Sequence, residues 1–243
     1  MNDLSMIDVP KILIQTSPKP LPQYVVDLNM QHCPGWEYKH FDDNDIYRFF
    51  EENPLEEFQD IRARFESFTH GAHRADLFRY FYLYQKGGVY LDSDAVLNAN
   101  IESIYNGYDF VSINSYHDNK DLIFNGFLVA KPGCPVMYDA LKDAYEMDDR
   151  LLNDDYHLLC KNLSTIVARH AGENIKIYQE ERTKDFHAGV RAYTDDRTLF
   201  LTHYCYLRKI PTFRNRFVTF LYPIIFRVKF LKNIYRTIQK YTK

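Results

Sequence analysis

Residues 71–94, GAHRADLFRYFYLYQKGGVYLDSD, decide the fold. Leu77, Phe78, Phe81 and Tyr84 follow i, i+1, i+4, i+7 spacing, which predicts a helix over 72–86, and Gly87 supplies the stop favoured just past a helix C-terminus. After Gly88 comes a short β-type run, Val89-Tyr90-Leu91-Asp92, with Asp94 one residue beyond Ser93. Two carboxylates at the end of a buried strand repel each other unless a positive charge sits between them. In an α/β protein that strand end is also where ligands bind. A divalent cation carrying a phosphorylated ligand satisfies both conditions.

The flanking chain alternates strand and helix patterns. Residues 11–16 (KILIQT) predict a first buried strand, and Pro18, Pro20 and Pro22 break the chain before a helix near 23–31. Residues 36–41 (WEYKHF) alternate as a second strand, with Asp42 or Asp43 as N-cap of a short helix through Phe50. Residues 54–68 read as irregularly helical. Further strands are expected at 88–92, 109–113, 124–130 and 175–178, and helices at 134–146 and 151–170. This order predicts an α/β fold: an open, mostly parallel, Rossmann-like sheet with helices on both faces. There is no internal repeat and no low-complexity segment.

Composition narrows the classes. The chain has 243 residues, 46% hydrophobic, enough for one large domain with a small appendage. Twenty Tyr and eighteen Phe fill a core and also suit clefts for sugar and nucleotide rings. Cys33, Cys134, Cys160 and Cys205 lie far apart in no Cys-x-x-Cys or Cys/His pattern, so reduced thiols and no zinc site are expected. No secretory signal and no apolar run long enough to span a bilayer is visible.

Charge divides the chain. From Arg197 to Lys243 there are eleven Lys/Arg and no Asp or Glu, which leaves 19 bases against all 33 acids in the preceding part. The expected division is a catalytic domain at 1–207 and a basic amphipathic helical tail at 208–243. In the tail, Phe213, Phe217, Phe220, Ile224, Leu231 and Ile238 recur at helical spacing among Arg and Lys, and Pro223 kinks or divides the helix. Such a helix lies in an anionic membrane interface or docks on the core with its bases solvated. The absence of acids favours the membrane, hence a cytoplasmic protein held peripherally at the inner face of the plasma membrane. An acidic body argues against a nucleic-acid partner.

On the helix before the Gly-Gly turn, Asp76 and Arg79 sit three apart and share a face. Either they form a surface ion pair, or Arg79 binds a diphosphate while Asp76 accepts from a ribose or base. The sequence Asp-x-x-Arg helix, Gly-Gly, aromatic strand, Asp-x-Asp resembles the DXD-containing sugar-transferase family. Yeast-type initiating α-mannosyltransferases and many bacterial capsule and lipopolysaccharide enzymes belong to that family, and large clostridial glucosylating toxins share its core motif. The resemblance runs from about residue 9 to 203. Residues 9–16 (VPKILIQT) look like the family's opening strand, with Ser17 where tryptophan is usual. Asn125-Gly126-Phe127 with residues 130–135 (AKPGCP) resembles its N-x-(F/I) segment, and Thr202-His203-Tyr204 its closing strand, without the tryptophan-containing stretch that usually follows.

The resemblance implies a GT-A-type fold and retaining transfer from a nucleotide-diphospho-sugar, a UDP-hexose before others. The cofactor it implies is Mn²⁺ or Mg²⁺, bound by Asp94 directly, with Asp92 contacting the ribose or the metal through water and His203 as the candidate third protein ligand. Gln15, Thr16 and Tyr90 are expected by the nucleotide, with Asp76, Arg79 and Asp92 completing its contacts. Asn125 is the candidate for the donor sugar near its anomeric carbon, beside the catalytic Asp92 and Asp94. The implied acceptor is a surface polysaccharide, lipopolysaccharide or lipid-linked oligosaccharide. Asp154 and Asp155 read as an acidic patch within a helix, with acceptor positioning as the alternative. His70 reads as an N-terminal helix residue, His73 as exposed, and His187 as part of a loop over the donor.

Two other readings are weaker. A phosphohydrolase with a nucleophilic first Asp needs a hydroxyl two residues after the second Asp, where Val96 stands. A non-catalytic, glycan-binding scaffold fits poorly with an intact carboxylate pair, Asp76/Arg79 and Gly-Gly turn.

Overall fold

The computed structural model describes residues 8–117, 120–182 and 190–204. The expected tail at 208–243, the domain boundary before it, Cys205 and His187 lie outside the described residues. The strands are β1 (Ile12–Thr16), β2 (Glu37–Phe41), β3 (Gly88–Leu91), β4 (Ala95–Leu97), β5 (Phe110–His117), β6 (Lys120–Ile123), β7 (Phe127–Ala130), β8 (Ile175–Arg182), β9 (Val190–Tyr193) and β10 (Leu199–His203). The helices are α1 (Gln23–Met30), α2 (Asp43–Glu52), α3 (Ile61–Ser67), α4 (Gly71–Lys86), α5 (Ile101–Tyr105), α6 (Pro135–Glu146), α7 (Asp149–Asp154) and α8 (Leu158–Arg169), with a 3₁₀ turn at Glu56–Phe58.

The α/β fold is present, and its single sheet runs β2-β1-β3-β7-β5-β8-β9-β10-β4, with β6 paired to β5. β1 is parallel to β2 and β3, and β5 to β8. The remaining pairings are antiparallel, so the expected parallel sheet is a mixed one. Short antiparallel strands carry few residues of clear periodicity, which is why β4, β6 and β9 and the one-turn helix α5 left no mark on the sequence reading. The stretch read as one helix over 151–170 is two, α7 and α8, separated at Asp155–His157.

Alternation along the strands builds two cores. Ile14, Tyr90, Leu128 and Phe110 face α2, α3, α4, α6 and α8, whereas Leu13, Val89, Leu91, Val111 and Phe127 face α5 and the β9–β10 ribbon. Helices thus cover both faces. α4 is not half-wet, as its spacing suggested: Asp76 through Leu83 are all buried. α4 sits between the sheet, α3 and α6, so Asp76 and Arg79 are buried together with its apolar residues.

The path of the chain forces the sheet to curl. β3 and β4 are six strand positions apart in the sheet order, about 29 Å if the sheet were flat at ~4.8 Å per strand. Yet only Asp92, Ser93 and Asp94 join them, a span of at most about 15 Å. The β8–β9–β10–β4 end therefore folds back over the β3–β7 face, and Phe200 of β10 meets Phe127 of β7 with ring centroids 5.6 Å apart. The Asp-x-Asp turn is the seam of that closure.

Gly87 and Gly88 set the entry to β3. Both have positive φ, +66° and +109°, and a Cβ on Gly87 would lie 2.6 Å from Pro132 Cδ and 2.9 Å from the Ala130 carbonyl. Gly87→Ala is expected to destabilise the fold by about 1–3 kcal/mol through backbone strain and this clash. Urea unfolding curves would measure it, and a wild-type midpoint in the variant would contradict the assignment.

Candidate active site

β3 delivers Asp92 to the seam, and the backbone there is held on three sides. The Asp92 N–H donates to the Gly126 carbonyl (2.8 Å), while its carbonyl accepts from Ala95 N–H (3.0 Å) and from the Gln15 side-chain amide (3.1 Å). The first bond extends the β3–β7 ladder past Leu91–Phe127. The second closes a four-residue turn that aims Asp94 towards β10. Tyr204 N–H donates to the Asp94 carbonyl at 2.8 Å.

That closure brings His203, 109 residues later in the chain, onto the carboxylates. His203 Nε2 lies 3.2 Å from Asp94 Oδ1. One ligand atom each from Asp92, Asp94 and His203 falls within 4.8 Å of the others. Cis ligands of an octahedral ion at ~2.1 Å stand about 3 Å apart, so the Asp94–His203 pair already has that spacing. Two hard carboxylate oxygens with one imidazole suit Mn²⁺ or Mg²⁺. Burial alone would lower the His203 pKa, but its bond to Asp94 and the carboxylate charges around it raise it on balance. Metal binding here therefore competes with a proton.

Beneath the carboxylates lies Arg79. Its guanidinium is 3.4 Å from Asp92 Oδ1 and 3.5 Å from Asp76 Oδ1, donates to the carbonyls of Ala75 (3.0 Å) and Asn125, and stacks 4.0 Å from the Tyr90 ring centre. The surface-pair reading of Asp76 and Arg79 is thereby corrected: both are buried. Burial pushes the Asp76 carboxyl above its ordinary range despite Arg79. Burial also works against the Arg79 charge, but Tyr90, Asp92 and Asp76 more than offset it. The Tyr90 hydroxyl joins Thr16 Oγ1 (2.9 Å) to Asp92 Oδ1 (3.1 Å).

Two cavities meet at Ala72, Arg79 and Asp92. One, about 320 Å³, opens at the end of β1 beside Thr16, Ser17, Tyr90, Ser93 and Asp94. The other, about 330 Å³, is walled by Asp76, Phe124, Asn125, Tyr156, Glu180 and His203. Asn125 donates from its amide to Asp76 Oδ1 at 3.1 Å, while its own Oδ1 is buried with no hydrogen-bond partner. A buried orphan acceptor is costly, and a ligand hydroxyl in the second cavity would satisfy it. Gln15, expected beside a base, lines neither cavity; it is fully buried and holds Asp92 from behind.

Several secondary readings change. His73 is buried, not exposed, its Nε2 3.0 Å from the Tyr156 carbonyl, and it lines the second cavity. His70 is the exposed N-cap of α4. Asp155 is the C-cap of α7 and pairs with Lys161, a helix-end role. Sequence reasoning missed Glu180, a buried carboxylate on β8 in the second cavity. The faint signal for it was a pair of acids, Glu180 and Glu181, at the end of a strand pattern, IKIYQEER.

Gly126 packs against the Asp92 carboxylate so closely that an added Cβ would lie 2.3 Å from Asp92 Oδ2 and 2.3 Å from Phe124. Gly126→Ala should weaken Mn²⁺ binding about tenfold or more by displacing Asp92, and His203→Ala should do the same by removing a ligand. Calorimetric titration of Mn²⁺ would show it. Wild-type affinity in both variants would mean that the ion binds elsewhere.

A family model described as a glycosyltransferase sugar-binding region containing a DXD motif matches residues 20–111. That span holds Asp76, Arg79, Tyr90, Asp92 and Asp94, and ends before Asn125 and His203. Among solved structures the chain is similar to one titled PaToxG Glycosyltransferase, with 12% identity, 67% of this chain and 70% of that chain covered, and a TM-score of 0.49. It is also similar to A197 from STIV, with 13% identity, 79% and 93% covered, and a TM-score of 0.34. No curated protein matches. Over residues 20–111, the part of the chain that carries the Asp-x-Asp turn, the sequence is therefore similar to the DXD-containing glycosyltransferases.

Proposed function

We propose that the chain transfers a hexose, with retention of configuration and in a metal-dependent reaction, from a nucleotide-diphospho-sugar to a surface polysaccharide, lipopolysaccharide or lipid-linked oligosaccharide. One observation carries the reading: Asp92, Asp94 and His203 converge where two cavities of hexose-to-nucleoside size share Arg79 and Asp92. The nucleoside belongs in the cavity at the end of β1, against Thr16 and Tyr90. The sugar then enters the cavity that holds Asn125. UDP is favoured as the nucleotide, on the family resemblance of the sequence.

Asp92, Asp94 and His203 would hold Mn²⁺ or Mg²⁺, which when bound supplies Lewis-acid stabilisation of the departing diphosphate. Arg79 turns Nε and Nη1 to Asp76, Asp92 and the carbonyls of Ala75 and Asn125, which fixes those carboxylates, and it lines both cavities. Asn125 Oδ1 accepts from a hydroxyl of the sugar beside the anomeric carbon. In front-side displacement the bond from the anomeric carbon to the phosphate oxygen breaks and the bond to the acceptor oxygen forms on the same face. The acceptor proton goes to the leaving phosphate oxygen, and no side-chain base is required.

The basic tail supports a peripheral position at the inner face of the plasma membrane, where lipid-linked acceptors are found. Removal of residues 211–243 is expected to reduce binding to anionic phosphatidylglycerol vesicles by tenfold or more while donor hydrolysis persists. Undiminished vesicle binding would assign the tail to core packing instead. Asp94→Ala and Asp92→Asn are expected to lower Mn²⁺-dependent release of nucleoside diphosphate at least a thousandfold without loss of the folded circular dichroism spectrum. Full activity in either variant would remove the site.

A further inference from the structure

The cavity beside the metal-ligand candidates contains a carboxylate that neither metal nor diphosphate binding needs. Glu180 is buried at 6% exposure on β8, and its Oε2 accepts from Ser115 Oγ of β5 at 3.0 Å. Strand register fixes where it stands. Glu180 pairs across with Ala192 of β9, which pairs with Leu201 of β10, and His203 pairs with Val190 two residues further on. Glu180 and His203 therefore project from the same face of the curled sheet, two strands apart and two residues offset. That separates their backbones by on the order of 10 Å, room for one pyranose between the metal ligands and the carboxylate.

The walls between them suit a sugar. Phe124 stacks on His203 with ring centres 4.4 Å apart and lines the cavity, offering an apolar face. Asn125 Oδ1, buried and unpartnered, offers a second acceptor in the same cavity. Two acceptors beside an aromatic ring are what ring hydroxyls, which are donors, require. A carboxylate, as a charged acceptor, gives the stronger and more discriminating bond.

We propose that Glu180, held by Ser115, is the specificity-determining residue for the transferred sugar, accepting from one of its ring hydroxyls far from the diphosphate. The assignment rests on the transferase reading above and deepens it: it selects a neutral hexose with a hydroxyl correctly placed towards β8. A carboxylated sugar presenting its acid there would face repulsion. The residue acts on the sugar and not on the nucleotide.

The test separates those two parts of the donor. Wild type is first assayed with Mn²⁺ and UDP-glucose, UDP-galactose, UDP-glucuronate and GDP-mannose for acceptor-free hydrolysis, and with UDP and GDP for thermal stabilisation. In Glu180→Gln, stabilisation by the nucleoside diphosphate should stay within about 1 °C of wild type. The KM for the best donor should rise about tenfold or more, and discrimination against its epimer should shrink. Ser115→Ala, which leaves the carboxylate in place, should fold normally and show the same change at about threefold. Unchanged donor KM and epimer preference in both variants would overturn the assignment. So would equal loss of nucleoside diphosphate and donor binding, which would mark Glu180 as a support of the fold. If wild type binds no nucleoside diphosphate, the transferase reading falls first and this assignment with it.

Discussion

The buried guanidinium of Arg79 is the charge on which the site is built. It has left water, a large penalty that only close opposite charges and filled donors offset. Asp76, Asp92, two backbone carbonyls and the Tyr90 face supply them. The arrangement is reciprocal, since the same cation makes two neighbouring carboxylates tolerable beside a third at Asp94. Asp92 is thus held by Arg79 and Tyr90 through its side chain and by Gln15, Ala95 and Gly126 through its backbone. A ligand set fixed in this way loses little freedom when an ion arrives, which is the condition for a preorganised centre.

Topology supplies the remaining member of the proposed ligand set. A three-residue link between strands six positions apart obliges the sheet to close on itself, and the closure carries β10 against β3. His203 reaches Asp94 for that reason, although 108 residues separate them between Asp94 and β10's last position. The curl also encloses the cavity lined by Asn125 and Glu180. Fold and site therefore share one constraint: the Asp-x-Asp turn is both the short link that forces the sheet to close and the meeting point of the carboxylates.

Much of this was legible before any coordinates. The helix over 72–86, the Gly-Gly stop and the strand ending at the carboxylates are local features, written in spacing and in residues with special backbone freedom. The N-cap at Asp42 or Asp43 was equally local, and the structure selects Asp42, with Asp45 returning the bond. What escaped was non-local. Nothing in IKIYQEER says that Glu180, rather than Glu181, turns inward; register against β9 decides it. His73 reads as exposed in the sequence because it lies at no strand end beside the carboxylates, yet it is buried, with its Nε2 on the carbonyl of Tyr156, 83 residues away. Gln15 drew a ligand-contact reading from its place at a strand end, yet the β3 turn fills the space that a base would need. The strands β4, β6 and β9 escaped because three or four residues are too few to show a periodicity.

The central claim is that Asp92, Asp94 and His203 hold one divalent ion beside the diphosphate of a nucleotide. Anomalous scattering from a crystal grown with Mn²⁺ and UDP tests it most directly. The account predicts a manganese peak within about 2.3 Å of an Asp94 oxygen and of His203 Nε2, with diphosphate density completing its coordination and the uridine beside Thr16 and Tyr90. A map in which manganese lies elsewhere, or in which nucleotide binds away from these carboxylates, would contradict it.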